Sequence, residues 1–144
     1  MQFCHTYYSF RYGTIAPKEV LERAIAADYE SILIADINNT SAILNSLRMA
    51  QIKGINVVPG VDFRTGVKQH FVAIAKNNEG FTEINTLLTE QLHSKEALPE
   101  RAPKMPDCYI IYPFAVYSGF RLRENEFVGV APHEIFKAQF SPSA

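Results

Sequence analysis

The chain has 144 residues, 47% of them hydrophobic and 20% charged, with a formal net charge of −1. This is a globular composition, long enough for one packed core. It excludes the strongly basic balance of a stand-alone nucleic-acid binder, and no apolar run approaches the ~20 residues of a membrane-spanning helix.

Met1–His5 reads as a short strand, followed by a loop, Thr6–Thr14, rich in Tyr, Ser and Gly. Pro17 suits the first turn of a helix, where its missing N–H costs nothing. In Lys18–Ala27, Val20, Leu21, Ala24 and Ile25 fall on one helical face. Ser31–Ala35 (SILIA) is an unbroken apolar run of the kind that forms a buried parallel strand, and it ends at Asp36. Asn38–Ser41 offers N-cap chemistry for the next helix, where Ile43, Leu44, Leu47 and Ile52 recur at helical spacing and Gly54 stands at the C′ position.

Asn56–Phe63 (NVVPGVDF) is a third strand, in which Pro59 and Gly60 imply a bulge or kink. Thr65-Gly66 reads as a turn pairing it with a fourth strand, Gln69–Ala75. Phe81, Ile84, Leu87 and Leu88 mark a further amphipathic helix. Leu98–Pro106, with its three prolines, reads as an extended loop. Cys108–Tyr112 and Phe127–Val130 are two more strands, and Pro132 opens a last helix running through Phe140, before the chain stops at SPSA.

The order βαβαββα argues for a mainly parallel sheet. The fold class expected is α/β, a partial β/α barrel, because a full barrel needs roughly 200 residues or more. On this reading residues 1–144 are the N-terminal portion of a longer domain. A small stand-alone α/β binding protein is the alternative. Cys4 and Cys108 are too few for a disulfide framework and read as reduced, small hydrophobes. The first residues carry no basic n-region and no apolar h-region, so they are not a signal peptide, and a cytoplasmic protein is expected.

His5, Asp36 and Asp62 follow the first three strands. In parallel α/β folds, ligands bind at the carboxyl ends of strands. One imidazole and two carboxylates converging there would suit Zn²⁺ or Mn²⁺ and phosphoester hydrolysis. Against this, Asp36 can cap a loop or helix, and Asp62 can pair with Arg64 or another neighbour. His70 reads as a hydrogen-bonded strand residue, and His93 and His133 as exposed. Tyr7, Tyr8, Phe10 and Tyr12 offer a stacking surface for bases, but with Arg11 as the one interleaved cation they read first as a loop packed over the barrel mouth. Neither a phosphate-cradling glycine loop nor a nucleophile elbow is present.

HTYYSFRYGT (His5–Thr14), IADINNTS (Ile34–Ser41), GINVVPGVDFR (Gly54–Arg64) and AIAKNNEGFTEIN (Ala73–Asn85) occur in that order. Together they resemble the PHP (polymerase and histidinol phosphatase) domain at the N-terminus of the bacterial DNA polymerase III alpha subunit. The resemblance covers about the first 95 residues. It implies a distorted seven-stranded β/α barrel with its site at the strand C-termini, and a parent DNA-directed DNA polymerase whose catalytic region lies elsewhere.

Metal-binding members of that family open with His-x-His; here the second histidine matches His5 and the first falls on Phe3. Their acidic residue before the first loop's glycine is Tyr12, and their Asp-His pair is Asp36 followed by Ile37. Their glutamate after the third strand is Asp62. The resemblance thus implies a vestigial metal site of His5, Asp36 and Asp62, able to hold Zn or Mn at most weakly, and no catalytic residue in this chain. The implied role is structural: supporting the rest of the alpha subunit and docking a proofreading exonuclease subunit, with DNA engaged only through the full-length protein. The competing role is a working metal-dependent phosphoesterase or 3′–5′ exonuclease. No membrane association is expected. A cut barrel exposes sheet edges, so self-association is expected as well.

Overall fold

The computed structural model describes residues 2–94 and 97–140. Strand β1 (Gln2–Cys4) leads through the Thr6–Thr14 loop to α1 (Pro17–Ala26), β2 (Ser31–Ile37) and α2 (Ile43–Lys53). Then follow β3 (Asn56–Thr65), β4 (Lys68–Ala75) and α3 (Asn78–Ser94). After the proline-rich stretch come β5 (Cys108–Pro113), β6 (Glu126–Gly129), a 3₁₀ turn (Pro132–Glu134) and α4 (Ile135–Gln139). The last segment is thus helical from Pro132, as expected, opening as a 3₁₀ turn that runs directly into α4 and ends at Gln139. The SPSA end lies outside the described residues.

The strands form one sheet in the order β1-β2-β3-β4-β5-β6, curled into a half-barrel. β1, β2 and β3 pair in parallel, and β5 pairs in parallel with β6. β4 is antiparallel to both its neighbours, so it alone is reversed among the described strands. The sheet is mainly parallel, as the alternation of elements predicts. Six strands are described where a seven-stranded barrel is expected.

Side-chain direction alternates along each strand, and this divides the core. Ile32, Ile34 and Val57 pack under α1 and α2 with Val20, Leu21, Ala24 and Ile43. Val61, Phe63, Phe71, Ile110 and Tyr112 pack under α3 with Ile84, Leu87 and Leu88. The opposite, concave face carries Leu33, Ala35, Val72 and Ile74. Each fully buried Leu, Ile or Phe in these layers contributes about 1.5–3 kcal/mol of transfer free energy.

Several local expectations need correction. No side chain of Asn38–Ser41 caps α2; the cap position is Ala42. Asn39 Oδ1 instead accepts from the Ser41 N–H at 3.1 Å, an Asx turn that holds the approach to the helix. Ile25, Leu44 and Ile52 are exposed, and α2 turns Ile43, Ser46 and Ala50 toward the sheet. Small residues there let the helix lie close, and the buried Ser46 hydroxyl is satisfied by donating to the Ala42 carbonyl at 2.7 Å. The β3–β4 register shift falls at Phe63/Arg64, not at Pro59-Gly60. Gly60 answers a different need: a Cβ there would lie 2.9 Å from both the Ala73 carbonyl oxygen and a Leu33 methyl.

The C′ assignment of Gly54 holds, with φ +72° and its N–H donating to the Ala50 carbonyl at 2.9 Å. Cys4 is half-buried and Cys108 buried, both as free thiols. No helix among the described residues is long and apolar enough to cross a membrane.

Candidate functional site

β1, β2 and β3 run in parallel, so residues at or just beyond their C-terminal ends share one rim of the half-barrel. His5, Asp36 and Asp62 all stand there, yet they form two separate clusters. The reason is strand parity. Asp36 is in phase with Ile32 and Ile34, on the helix-covered face, whereas Asp62 is in phase with Val58 and Gly60, on the concave face. The register places Ile37, not Asp36, beside Asp62. Among the described residues no group of three or more His, Cys, Asp or Glu side chains is arranged to hold a metal.

Asp36 is 1% exposed and organises the first loop. Its carboxylate accepts from the Thr6 N–H, the Thr6 hydroxyl and the Ser9 hydroxyl, each at 2.6 Å. Ser9 Oγ in turn accepts from the Ile37 N–H at 2.9 Å. Charge-assisted bonds of this length are about twice as strong as neutral ones, and they commit the carboxylate to the loop.

Asp62 is fully buried and lies at the centre of the second cluster. Its Oδ2 meets His5 Nε2 at 3.1 Å and accepts from Arg64 Nε at 3.0 Å and Arg64 Nη2 at 2.8 Å. Its Oδ1 accepts from Gln69 Nε2 at 3.0 Å. Burial raises the carboxyl pKa, but the bonds from His5, Arg64 and Gln69, with the Arg64 charge, outweigh it and hold the group below its ordinary value. The Arg64 guanidinium carbon also lies 4.7 Å from the centroid of the Tyr12 ring, a cation–π contact. Phe3 meets the His5 ring edge-on at 4.9 Å.

Arg64 was legible beside Asp62, because i and i+2 on a strand share a face. Gln69 was not, because its place depends on the register shift: pairing passes from Phe63↔Phe71 to Arg64↔Gln69 and skips His70. His70 bonds Thr65 Oγ1 at 2.9 Å instead. His93 and His133 are exposed, as expected. The aromatic loop is a correction. Tyr12, 46% exposed, lies against Arg64 at the rim, but Tyr7 and Tyr8 are 47% and 41% exposed and Phe10 is 83% exposed, so most of the run faces outward instead of packing over the barrel mouth.

A cavity of about 430 Å³, bounded by Phe3, Leu33, Gln69, Val72, Ile111 and Gly129, opens beside the Asp62 cluster. A second, of about 540 Å³, is lined by neither His5 nor Asp62. An imidazole held by a carboxylate is half of a general-base arrangement. The nearby aliphatic hydroxyls, on Thr6 and Ser9, are both committed to Asp36. As arranged, this donor set does not fit a divalent ion: every carboxylate oxygen has a hydrogen-bond partner, and a guanidinium already neutralises Asp62.

A curled α/β sheet with its polar cluster at the strand C-termini defines the β/α-barrel class of site. More closely, the PHP domain model matches residues 3–112, well over half of the chain, and the chain belongs to the PHP domain family. A solved two-domain protein from Bacteroides vulgatus, described as containing a predicted PHP-like metal-dependent phosphoesterase, is similar over 96% of this chain at 12% identity, with a TM-score of 0.51. An amidohydrolase from Chromobacterium violaceum, solved with bound sulfate and no metal, is similar over 63% at 21% identity, with a TM-score of 0.45. The chain spans 40% and 33% of those proteins' own lengths. Comparison with the curated proteins finds no match.

Proposed function

We propose that this chain is a non-hydrolytic PHP module of a larger protein, with a bacterial replicative DNA polymerase alpha subunit as the parent. The observation that carries the reading is the series Phe3, His5, Asp62, Arg64 and Tyr12, each in contact with the next. A metal centre needs donor atoms to offset dehydration of the ion. Here an internal guanidinium supplies the positive charge on Asp62, and aromatic rings at positions 3 and 12 pack against the imidazole and the guanidinium. Ile37, in register beside Asp62, adds no donor. The parent is inferred from the four ordered sequence blocks.

On this reading the six strands are the larger part of a seven-stranded barrel completed by the rest of the alpha subunit. The module supports that subunit in the cytoplasm and docks a proofreading exonuclease, binding Zn or Mn weakly or not at all. Calorimetric titration of the purified chain with Zn²⁺ and Mn²⁺ tests it. Little or no heat is expected; tight stoichiometric binding would overturn the reading.

Family membership and the description of the Bacteroides protein favour a second reading, a metal-dependent phosphoesterase. It would draw on the His5–Asp62 pair, with further ligands from elsewhere in the protein. Turnover of p-nitrophenyl phosphate that disappears in His5→Ala would support it over the first.

A further inference from the structure

We propose that the Thr6–Thr14 loop is a stacking platform for single-stranded nucleic acid. The loop is held rigidly from beneath. Asp36 takes three hydrogen bonds from Thr6 and Ser9, both of which are fully buried. The Tyr7 N–H donates to the Ile15 carbonyl, and the Tyr12 and Gly13 N–H groups donate to the Ser9 carbonyl, all at 2.9 Å. Asn39 Nδ2 donates to the Tyr8 carbonyl at 3.1 Å. Gly13 lies so close that a Cβ there would fall 1.7 Å from the Thr6 carbonyl oxygen. This hydrogen bonding buries Thr6 and Ser9 and leaves the loop's large rings outside.

The exposed surface has a definite chemistry. Tyr7 and Tyr8 stand with ring centroids 4.6 Å apart, and Phe10, two residues on in the same loop, is 83% exposed. Several exposed aromatic rings carried on one hydrogen-bonded loop mark an interaction site. Residues 2–16 include no Asp or Glu. Arg11 is exposed, and no ion pair involves it among the described residues. An apolar protein segment laid on this surface would desolvate Arg11 without neutralising it. A polynucleotide satisfies both features, with bases on the rings and a phosphate on the guanidinium. Duplex DNA keeps its bases stacked inside, and one arginine gives it little backbone attraction. The inference rests on the exposed rings and not on the Asp62 cluster, so it and the non-hydrolytic reading fail separately.

The test is fluorescence anisotropy of a labelled oligothymidylate of about 12 nucleotides, within the usual site size for such binders, against the same strand annealed to its complement. The single strand is expected to bind and the duplex to bind far more weakly. Phe10→Ala and Tyr8→Ala should each weaken single-strand binding roughly tenfold, with circular dichroism unchanged because both rings are exposed. Arg11→Ala should flatten the salt dependence by about 0.7 in log–log slope. Equal binding of duplex, no binding at about 1 mM chain, or variants that bind like the parent would each overturn the proposal. So would loss of self-association in Phe10→Ala with no oligonucleotide bound, which would make the patch a protein-docking surface.

Discussion

Arg64 places two donors, Nε at 3.0 Å and Nη2 at 2.8 Å, on the single oxygen Oδ2 of a fully buried Asp62, while its guanidinium carbon lies over the Tyr12 ring. The guanidinium side chain is itself 13% exposed, so the pair sits at the lip of the half-barrel rather than in open solvent. Removing one partner of such a pair strands the other charge, which costs far more than the pair contributes while intact. Arg64→Met should therefore destabilise the chain by about 3–5 kcal/mol, and Arg64→Lys by less, since an ammonium still neutralises Asp62 but cannot form the fork or the stack. The double variant Asp62→Leu with Arg64→Met should recover part of the loss. Urea denaturation of the four proteins decides the matter; a double variant as unstable as the sum of the singles would show that the pair is not coupled.

Asp36 predicts a loop effect rather than a site effect. In Asp36→Asn the charge is lost and an amide NH₂ replaces one acceptor oxygen facing Thr6 and Ser9. Losing charge-assisted bonds in a buried position costs about 1.5–3 kcal/mol. The loss should concentrate in residues 6–14, so the Ser9, Tyr12 and Gly13 amides should exchange hydrogen faster than amides in β3. Uniform acceleration across the chain would mean that Asp36 supports the whole fold and not the loop.

Much of the sheet was legible because buried parallel strands write themselves as short apolar runs, as Ser31–Ala35 does, and because Gly54 and Gly66 punctuate the helix and the hairpin, although the turn itself is Gly66-Val67, one residue later than expected. The buried face of α2 was not. Ser46 and Ala50 are small enough for close approach to the sheet, while the more hydrophobic Leu44 and Ile52 face outward, so hydrophobicity alone picks the wrong stripe. At the site, His5, Asp36 and Asp62 are legible as strand-end residues, and the Asp62–Arg64 pair follows from i, i+2 spacing. The separation of Asp36 from Asp62 follows from strand phase, and Gln69 depends on a register shift that no local pattern announces.

Gly80 opens the first turn of α3 against the chain entering β5. A Cβ on it would lie 2.0 Å from the Asp107 carbonyl oxygen and 2.9 Å from its carbon, both backbone atoms that cannot swing aside. The same corner holds Cys108, whose Sγ donates to the Gly80 carbonyl at 3.2 Å. Burial first, and then Glu83 beside it, push that thiol up to about 12. Gly80→Ala should thus cost several kcal/mol, on the scale of overpacking in a close-packed interior. It should also expose the thiol. In the parent chain Cys108 should react with a disulfide reagent only on unfolding; in Gly80→Ala it should react under native conditions. Equal native reactivity in both chains would show that the corner had not moved.

Glu126 makes the pH dependence specific. It is 3% exposed and ties the proline-rich stretch to β5 and β6: Arg101 Nη2 lies at 2.7 Å, Arg123 Nη1 at 3.0 Å, the Arg123 N–H at 2.7 Å and the Tyr112 hydroxyl at 3.0 Å. Burial raises its pKa, but the bonds from Arg101, the Arg123 N–H and Tyr112, with the Arg123 charge, outweigh it, so the folded-state value is depressed. A depressed carboxyl contributes stability that is present above its unfolded value, about 4.3 for glutamate, and lost as the pH falls through the folded value. Asp62 acts in the same sense. Stability should fall steeply below about pH 4. Glu126→Gln should be less stable than the parent near neutrality, by about 2–3 kcal/mol, and the gap should close in acid, where the parent's glutamate is also uncharged. Thermal unfolding of the two chains across that range measures the gap; a difference that stays constant into acid would assign the stability to shape and hydrogen bonding rather than to the Glu126 charge.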